Sequence, residues 1–166
     1  MSQRSTTLAS QFEQTVAQFA AAVADCSDEQ WQATCDDEGW TVAQTAQHVT
    51  GQFPLEMEFI TAAAEGWEMP PYFWDEINGR NGSRAARNTA VTRDDVLREL
   101  RSGATTTAAY LRSLSDSQLD RSVPLGLADG AMVTTQQLIE GGVLIAHVTG
   151  HLESILGARM PAGAPA

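Results

Sequence analysis

Lysine is absent from this chain of 166 residues, so all ten of its basic residues are arginines. The absence excludes a phosphate-binding loop ending in GK[ST], a Schiff-base enzyme built on lysine and a kinase-type catalytic lysine. Against 21 acidic residues, the ten arginines give a formal net charge of −11. Because nucleic-acid phosphates bind to basic surfaces, this charge argues against a nucleic-acid partner.

Long apolar runs are missing too. No window approaches the roughly 20 consecutive apolar residues of a membrane span, and the first residues, MSQRSTTLASQFEQ, lack the apolar core of a secretory signal. We therefore expect a cytoplasmic protein with no membrane partner. The two cysteines, Cys26 and Cys35, have neither CxxC redox spacing nor the pattern of a four-cysteine zinc site. Two reduced thiols are the simpler expectation, with a disulfide or a reactive thiol as the alternative.

Apolar residues recur at spacings of three and four, which predicts amphipathic helices. Thr41 and Thr134 each begin a T-x-x-Q capping-box pattern, and Thr92 is a third expected N-cap. Pro54 predicts a kink inside the second helix, because its ring removes a backbone hydrogen bond. The predicted helices span residues 6–25, 41–64, 92–114 and 134–157, and Gly66 and Gly157 are the expected stops of the second and fourth.

Two long connections separate the second, third and fourth helices. Residues 66–88 predict a connection with a short helix near its end, and its aromatic cluster, residues 67–74, is either a lid over a pocket or a cover for the core. Residues 115–133 contain Ala-Asp-Gly between two short apolar stretches, which fits a hairpin or an irregular loop. The sequence therefore predicts an all-α fold, a four-helix bundle in a single domain of residues 1–160, with a frayed tail at 161–166.

The three histidines, His48, His147 and His151, all fall in the two helices that begin with a capping box. His147 and His151 lie one turn apart on one helix face, a spacing that suits two ligands of one metal ion, and His48 is the expected third ligand. The tetrapeptide His-Val-Thr-Gly occurs at both places. We expect its glycines, Gly51 and Gly150, to let the two helices approach closely, with Gly141 and Gly142 extending that seam.

Other metal sites do not match this pattern. The residues between His147 and His151 are Val-Thr-Gly, so the Glu of HExxH proteases is missing. None of the histidines belongs to a Glu-x-x-His motif, which a ferritin-like di-iron bundle would need. A mononuclear site of three imidazoles favours Zn or Ni, with Fe or Co as further candidates, and leaves a position open for water or substrate. The alternative is three ordinary histidines bonded to backbone or carboxylate groups.

Two further sets of residues are candidates for the site. Arg80, Arg84 and Arg87 share one face if residues 75–88 are helical, and they would then bind the carboxylate of a substrate or cofactor; a solvated or ion-paired face is the alternative. Glu140 precedes His147 by seven residues and is a candidate general base or hydrogen-bond acceptor for the ligands, with solvent exposure as the alternative.

The sequence resembles the DinB superfamily, which includes the mycothiol-dependent maleylpyruvate isomerases. The resemblance rests on Trp40-Thr-Val before the helix of His48, the long middle region and the final helix with His147 and His151, and it extends over essentially the whole chain. It implies a four-helix bundle of up-down-down-up connectivity, a divalent metal on the three histidines and often a homodimer. It also implies a low-molecular-weight thiol, such as mycothiol or bacillithiol, as a second cofactor.

The function expected from these features is a metal-dependent enzyme, a thiol-dependent S-transferase or isomerase acting on a small electrophilic substrate. The alternatives are a metal-dependent hydrolase and a non-catalytic stress protein that binds a metal or a small ligand.

Overall fold

The computed structural model of the protein describes residues 2–35, 39–87 and 90–158. Over these ranges the chain forms eight helices, a 3₁₀ turn and a two-stranded sheet. The predicted tail at 161–166 and Asn88 lie outside the described residues. The elements are α1 Gln3–Ala24, α2 Asp28–Gln32, α3 Val42–Glu65, α4 Trp74–Arg87, α5 Arg93–Ser113, α6 Asp116–Leu119, β1 Ser122–Leu125, the 3₁₀ turn Gly126–Ala128, β2 Ala131–Thr134, α7 Thr135–Glu140 and α8 Ile145–Ala158.

The helix starts are set by side-chain caps. The Thr41 hydroxyl accepts from the backbone N–H of Gln44, whose side chain bonds back to the Thr41 backbone, and Thr134 forms the same reciprocal pair with Gln137. Thr92 accepts from the N–H of Asp95 at the start of α5. These bonds satisfy N–H groups that have no partner within a helix, so the predicted starts are confirmed.

The four-helix bundle consists of α1, α3, α5 and α8, and both α1 and α3 pack against α5 and α8. Ser5 at the start of α1 contacts the carbonyl of Arg112 at the end of α5, so these helices are antiparallel. Glu65 at the end of α3 accepts from Gln118 just after α5, so α3 and α5 are parallel. This confirms the up-down-down-up bundle. The largest fully buried side chains of its core include Phe12, Phe19, Ile60, Leu100, Leu111, Leu114, Ile139, Leu144 and Ile155.

The predicted fourth helix is broken, which corrects the expectation of one helix over 134–157. α7 ends at Glu140, and turns at 141–144 precede α8. Gly141 has an extended backbone, with φ −82° and ψ −162°, which no α-helix contains. α8 ends at Ala158, next to the expected stop at Gly157.

The glycines of the repeated tetrapeptide do not bring the two helices together, which corrects a second expectation. A Cβ at Gly150 would meet no atom within 4 Å, so this position faces open space. A Cβ at Gly51 would overlap Nη1 of Arg84, so Gly51 makes room for a side chain of α4. α3 also continues through Pro54 from Val42 to Glu65, and the expected kink stays a prediction.

The two connections both contain regular structure. β1 and β2 form an antiparallel hairpin, in which Ser122 pairs with Thr134 and Leu125 with Ala131. The connection after α3 contains the 14-residue helix α4, which buries only Ile77 and Ala85 among its described side chains. None of the helices in the described ranges has the length and apolarity needed to cross a bilayer.

Candidate metal centre

Helices α3 and α8 supply the three histidines. His48 lies in the second turn of α3, which the Thr41 capping box fixes, and it is buried. His147 and His151 lie one turn apart near the start of α8 and are partly buried. Because α3 packs directly against α8, side chains on the facing sides of the two helices meet.

The three rings direct the same atom to one point. Nε2 of His147 lies 3.0 Å from Nε2 of His48 and 3.0 Å from Nε2 of His151. Ligand atoms of all three residues lie within 4.8 Å of one another. Tetrahedral nitrogen ligands at about 2.0–2.1 Å from a zinc ion lie about 3.3 Å apart, so this separation suits three ligands of one divalent metal ion.

A buried carboxylate orients His147. Oε1 of Glu56 lies 2.6 Å from Nδ1 of His147, and the Glu56 side chain is 7% exposed. The two atoms are in ion-pair contact without hydrogen-bond geometry. A carboxylate this close to Nδ1 favours the tautomer that carries its proton there, which leaves Nε2 as the ligand atom. Burial raises the pKa of Glu56 well above its ordinary value. A cation at Nε2 would favour the ionised carboxylate, so the pair suits a metal-ligating histidine.

One amide contacts His48, and a second amide contacts the first. Nε2 of Gln52 lies 3.3 Å from Nδ1 of His48, and the same amide nitrogen contacts Oδ1 of Asn81 on α4. Burial lowers the pKa of His48 to about 2, and repulsion from His147, His151 and Arg84 acts in the same direction. His48 is therefore neutral at physiological pH, the form that binds a metal. The indole ring of Trp40 lies against it, with 5.1 Å between the ring centroids.

The histidines open into a cavity of about 410 Å³ between α3, α4, the hairpin and the turn before α8. Trp74 at the start of α4 forms part of its wall, and its indole N–H donates to the carbonyl of Leu127 at 2.8 Å. Trp67, Phe73 and Trp74 are all more than half exposed, whereas Tyr72 of the same stretch is partly buried and packs against the core. Trp74 instead bridges α4 and the hairpin at the cavity. The apolar lining comprises Leu55, Phe59, Ile77, Leu125, Leu127, Ala128, Val133, Leu138 and Val143.

The three predicted arginines lie together in a separate groove. Arg80, Arg84 and Arg87 line a groove of about 780 Å³ between α3 and α4 and do not line the histidine cavity. Nη1 of Arg84 donates to the carbonyl of Gly51 at 2.9 Å, and the guanidinium carbon of Arg80 lies 5.0 Å from the centroid of the Tyr72 ring.

The structure places Glu140 away from the cavity lining. Its side chain is exposed and accepts a hydrogen bond from Gln136 at 2.8 Å, because the break after α7 removes the helical register that would align it with His147. The carboxylate beside His147 is Glu56, which the sequence analysis did not single out. Its sequence signal is the spacing of four between His48, Gln52 and Glu56, which puts all three on one face of α3.

Comparisons with solved structures show the same fold. YfiT from Bacillus subtilis, described as a probable metal-dependent hydrolase with an unusual four-helix bundle topology, is 20% identical, with a TM-score of 0.72 over 95% of this chain and 87% of YfiT. An uncharacterised protein from Clostridium difficile 630 is 14% identical, with a TM-score of 0.71 over 95% of this chain and 96% of that one.

A variant of the mycothiol-dependent maleylpyruvate isomerase is 16% identical, with a TM-score of 0.62, and this chain corresponds to 60% of its length while 98% of this chain is covered. No protein of curated function matches the sequence. The family profile of the DinB superfamily matches residues 11–155, which is most of the chain. With its bundle and its three histidines in place, the chain belongs to the DinB superfamily.

Proposed function

We propose that this protein is a divalent-metal-dependent enzyme, a thiol-dependent S-transferase or isomerase that acts on a small electrophilic substrate. Its thiol would be a low-molecular-weight one, such as mycothiol or bacillithiol. The observation that carries the proposal is the convergence of three histidine Nε2 atoms at the wall of an apolar cavity. Nε2 of His147 lies 3.0 Å from Nε2 of His48 and 3.0 Å from Nε2 of His151. Zn and Ni suit three imidazoles best, and Fe and Co are compatible.

Each residue of the centre has a separate task. His48, His147 and His151 would hold the metal through Nε2, and Glu56 keeps His147 in the required tautomer. A divalent metal held there supplies a Lewis acid that lowers the pKa of a neighbouring thiol or water. The apolar walls lower the local dielectric constant beside the histidines, which strengthens electrostatic interactions there.

The cavity lining favours a thiol over water as the nucleophile. Besides the histidines and Glu56, its polar side chains include four amides, those of Gln52, Asn78, Asn81 and Gln137, which do not exchange protons in the pH range of proteins. Glu56 is engaged with His147. A thiol has an ordinary pKa of about 8.5, against about 15.7 for water, so it reaches its nucleophilic form with less help from a base.

The size and polarity of the cavity define the substrate class. A volume of about 410 Å³ accommodates a small molecule. Its walls are aliphatic and aromatic, and the amides of Asn78, Asn81 and Gln137 provide donors and acceptors for a carbonyl or hydroxyl group. A small electrophile with an apolar body and one or two oxygen substituents fits this lining.

The test is turnover by metal-loaded protein with and without thiol. A panel of small electrophiles is offered with mycothiol, with bacillithiol and in buffer alone, and substrate loss and thioether formation are followed. We expect turnover that requires a thiol and is lost in His147→Ala. Turnover in buffer alone would support a hydrolase instead, and metal binding without any turnover would support a non-catalytic binding protein.

The proposal extends to a homodimer in the cytoplasm. The homodimer is supported by the resemblance to the DinB superfamily. A reducing compartment is supported by the sequence spacing of Cys26 and Cys35, which matches neither a CxxC redox motif nor a four-cysteine zinc site. Light scattering during size-exclusion chromatography and fractionation of cells check these two points.

A further inference from the structure

The groove between α3 and α4 adjoins the candidate metal centre. Arg80, Arg84 and Arg87 line it, together with the ring of Tyr72 and the acidic residues Glu58, Asp75 and Glu76. The groove and the histidine cavity lie on the two sides of a shared wall. A ligand that extends over this wall would reach both. The shared residues are Gln52, Leu55, Ile77 and Asn81.

Two of the three guanidinium groups are held in place by the fold. Nη1 of Arg84 donates to the carbonyl of Gly51, which lies one helical turn after His48 on α3. A side chain at position 51 would overlap Nη1, so this approach requires a glycine. Arg80 is stacked over Tyr72. Preorganised guanidinium groups lose less conformational entropy when they bind a ligand.

Among the described residues, these arginines have no ion-pair partner. No ion pair within 4 Å joins Arg80, Arg84 or Arg87 to a carboxylate of the described residues, although acidic side chains line the same groove. By contrast, Arg93 and Arg112 each pair with an acidic residue. The three carboxylates of the groove lining offset the formal charge of these arginines, so an anion would be recognised by the N–H donors of the guanidinium groups more than by net charge.

We propose that this arginine groove is an anion subsite, and that the ligand reacting at the histidines carries a carboxylate group that the groove binds. Arg84 and Arg80 offer planar forks of N–H donors, which match a carboxylate with two hydrogen bonds. The link to the reaction rests on the proposed function. The carboxylate belongs either to the thiol or to the electrophile, and both sources present the same chemistry to the groove.

Calorimetric titration of the full-length protein with succinate tests the subsite without any turnover. We expect saturable binding of succinate and none of the neutral succinamide. Arg84→Gln and Arg80→Gln each weaken succinate binding at least about 10-fold. Arg101→Gln, which removes the same charge from an exposed site on α5, leaves it unchanged. Equal binding by the three variants, or no saturable binding by the unaltered protein, would overturn the proposal.

A pair of glycine variants tests the position of the Arg84 fork with all charges retained. Gly51→Ala displaces the guanidinium group, so we expect weaker succinate binding and no loss of thermal stability, because alanine favours a helix. Gly150→Ala, in the same tetrapeptide on α8, adds a methyl group in open space and leaves binding intact. Equal succinate affinity of Gly51→Ala and Gly150→Ala would contradict the role of Arg84.

Further arms separate this inference from the proposed function. We expect His147→Ala to keep succinate binding but to lose metal and turnover. Succinate binding by the groove can therefore be observed even if the protein has no enzymatic activity. Once turnover is established, KM is measured for a charged and a neutral thiol, glutathione and 2-mercaptoethanol. It is also measured for a charged and a neutral electrophile, fumarate and dimethyl fumarate. Arg84→Gln raises the KM of the carboxylate-bearing partner alone by at least about 10-fold. Equal effects on charged and neutral partners would detach the groove from the reaction.

Discussion

Glu56 is the residue that determines which ring nitrogen of His147 is free to bind a metal. Its carboxylate lies 2.6 Å from Nδ1 of His147 in a buried position. Glu56→Gln keeps the shape but removes the negative charge that stabilises a cation-bound imidazole. We expect the affinity for Zn to fall about 10- to 100-fold, measured by competition with a metal chelator.

Glu140→Gln is the matched control for this substitution, because Glu140 is exposed and bonded to Gln136. It removes the same charge from an exposed position at the end of α7 and should leave Zn affinity unchanged. If the two variants lost affinity equally, Glu56 would have no specific role at His147.

The ligands themselves were predictable at the residue scale, and their supporting residues were not. Three histidines in two helices leave few combinations, so His48, His147 and His151 can be proposed from spacing. Glu56 is one of 21 acidic residues, and its spacing from His48 places it on the same helix face without marking it as buried. Only the packing of α3 against α8 reveals that it faces a ligand.

The break between α7 and α8 is the decisive feature at the scale of elements, since it sets where α8 begins and where His147 points. A Cβ at Gly141 would lie 2.6 Å from the carbonyl oxygen of Gln137, whereas a Cβ at Gly142 meets nothing within 4 Å. Gly141→Ala therefore forces the backbone to shift. We expect a loss of about 1–3 kcal/mol in the free energy of unfolding, measured with denaturant.

Gly142→Ala provides the control, and we expect its stability to stay within about 0.5 kcal/mol of the parent protein. Gly141→Ala should also weaken metal binding, because α8 carries two of the three ligands. Equal stability of the two alanine variants would show that the break does not depend on a glycine at 141.

The contact between α1 and α5 has a pH dependence of defined sign. Arg112 donates to both carboxylate oxygens of Glu13, at 2.9 and 2.5 Å, and this bond lowers the pKa of Glu13 below its ordinary value of 4.5. A lowered folded-state pKa gives stability that is present above pH 4.5 and is lost as the pH falls through the folded-state pKa. The pair is partly exposed, so the contribution is small.

Glu13→Gln should therefore lower the Tm slightly at pH 6, and its difference from the parent protein should shrink as the pH falls below 4.5 and through the lowered pKa of Glu13. Circular dichroism melts across this range check the expectation, with the exposed Glu68→Gln as control. A difference that grows as the pH falls would contradict the assignment of the stabilising bond.

Helix caps and periodicity predicted the elements well, because both signals are local. The T-x-x-Q pattern of Thr41 and Thr134 places two helix starts in the structure. The break at Gly141 was missed because apolar residues continue on both sides of it, and Leu138 and Ile145 are seven positions apart, which keeps the helical spacing. Glycine is tolerated in helices, so two glycines alone do not predict where a helix ends.

At the scale of the whole molecule, the connectivity of the bundle is what assembles the site. α3 and α8 are separated in sequence by α5 and the hairpin, yet they pack side by side and bring His48 within 3.0 Å of His147. Periodicity gives each helix a buried face but not its neighbours, so the arrangement followed from the family resemblance. α4 and the hairpin then close the cavity over the histidines.

The most direct test of the account is the metal content of the protein purified without a histidine tag, measured by elemental analysis beside His48→Ala and His147→Ala. We predict about one divalent ion per chain in the parent protein and its loss in both variants. Protein that contains no metal and takes up neither Zn nor Ni would contradict the account, as would either variant that retains the full metal content.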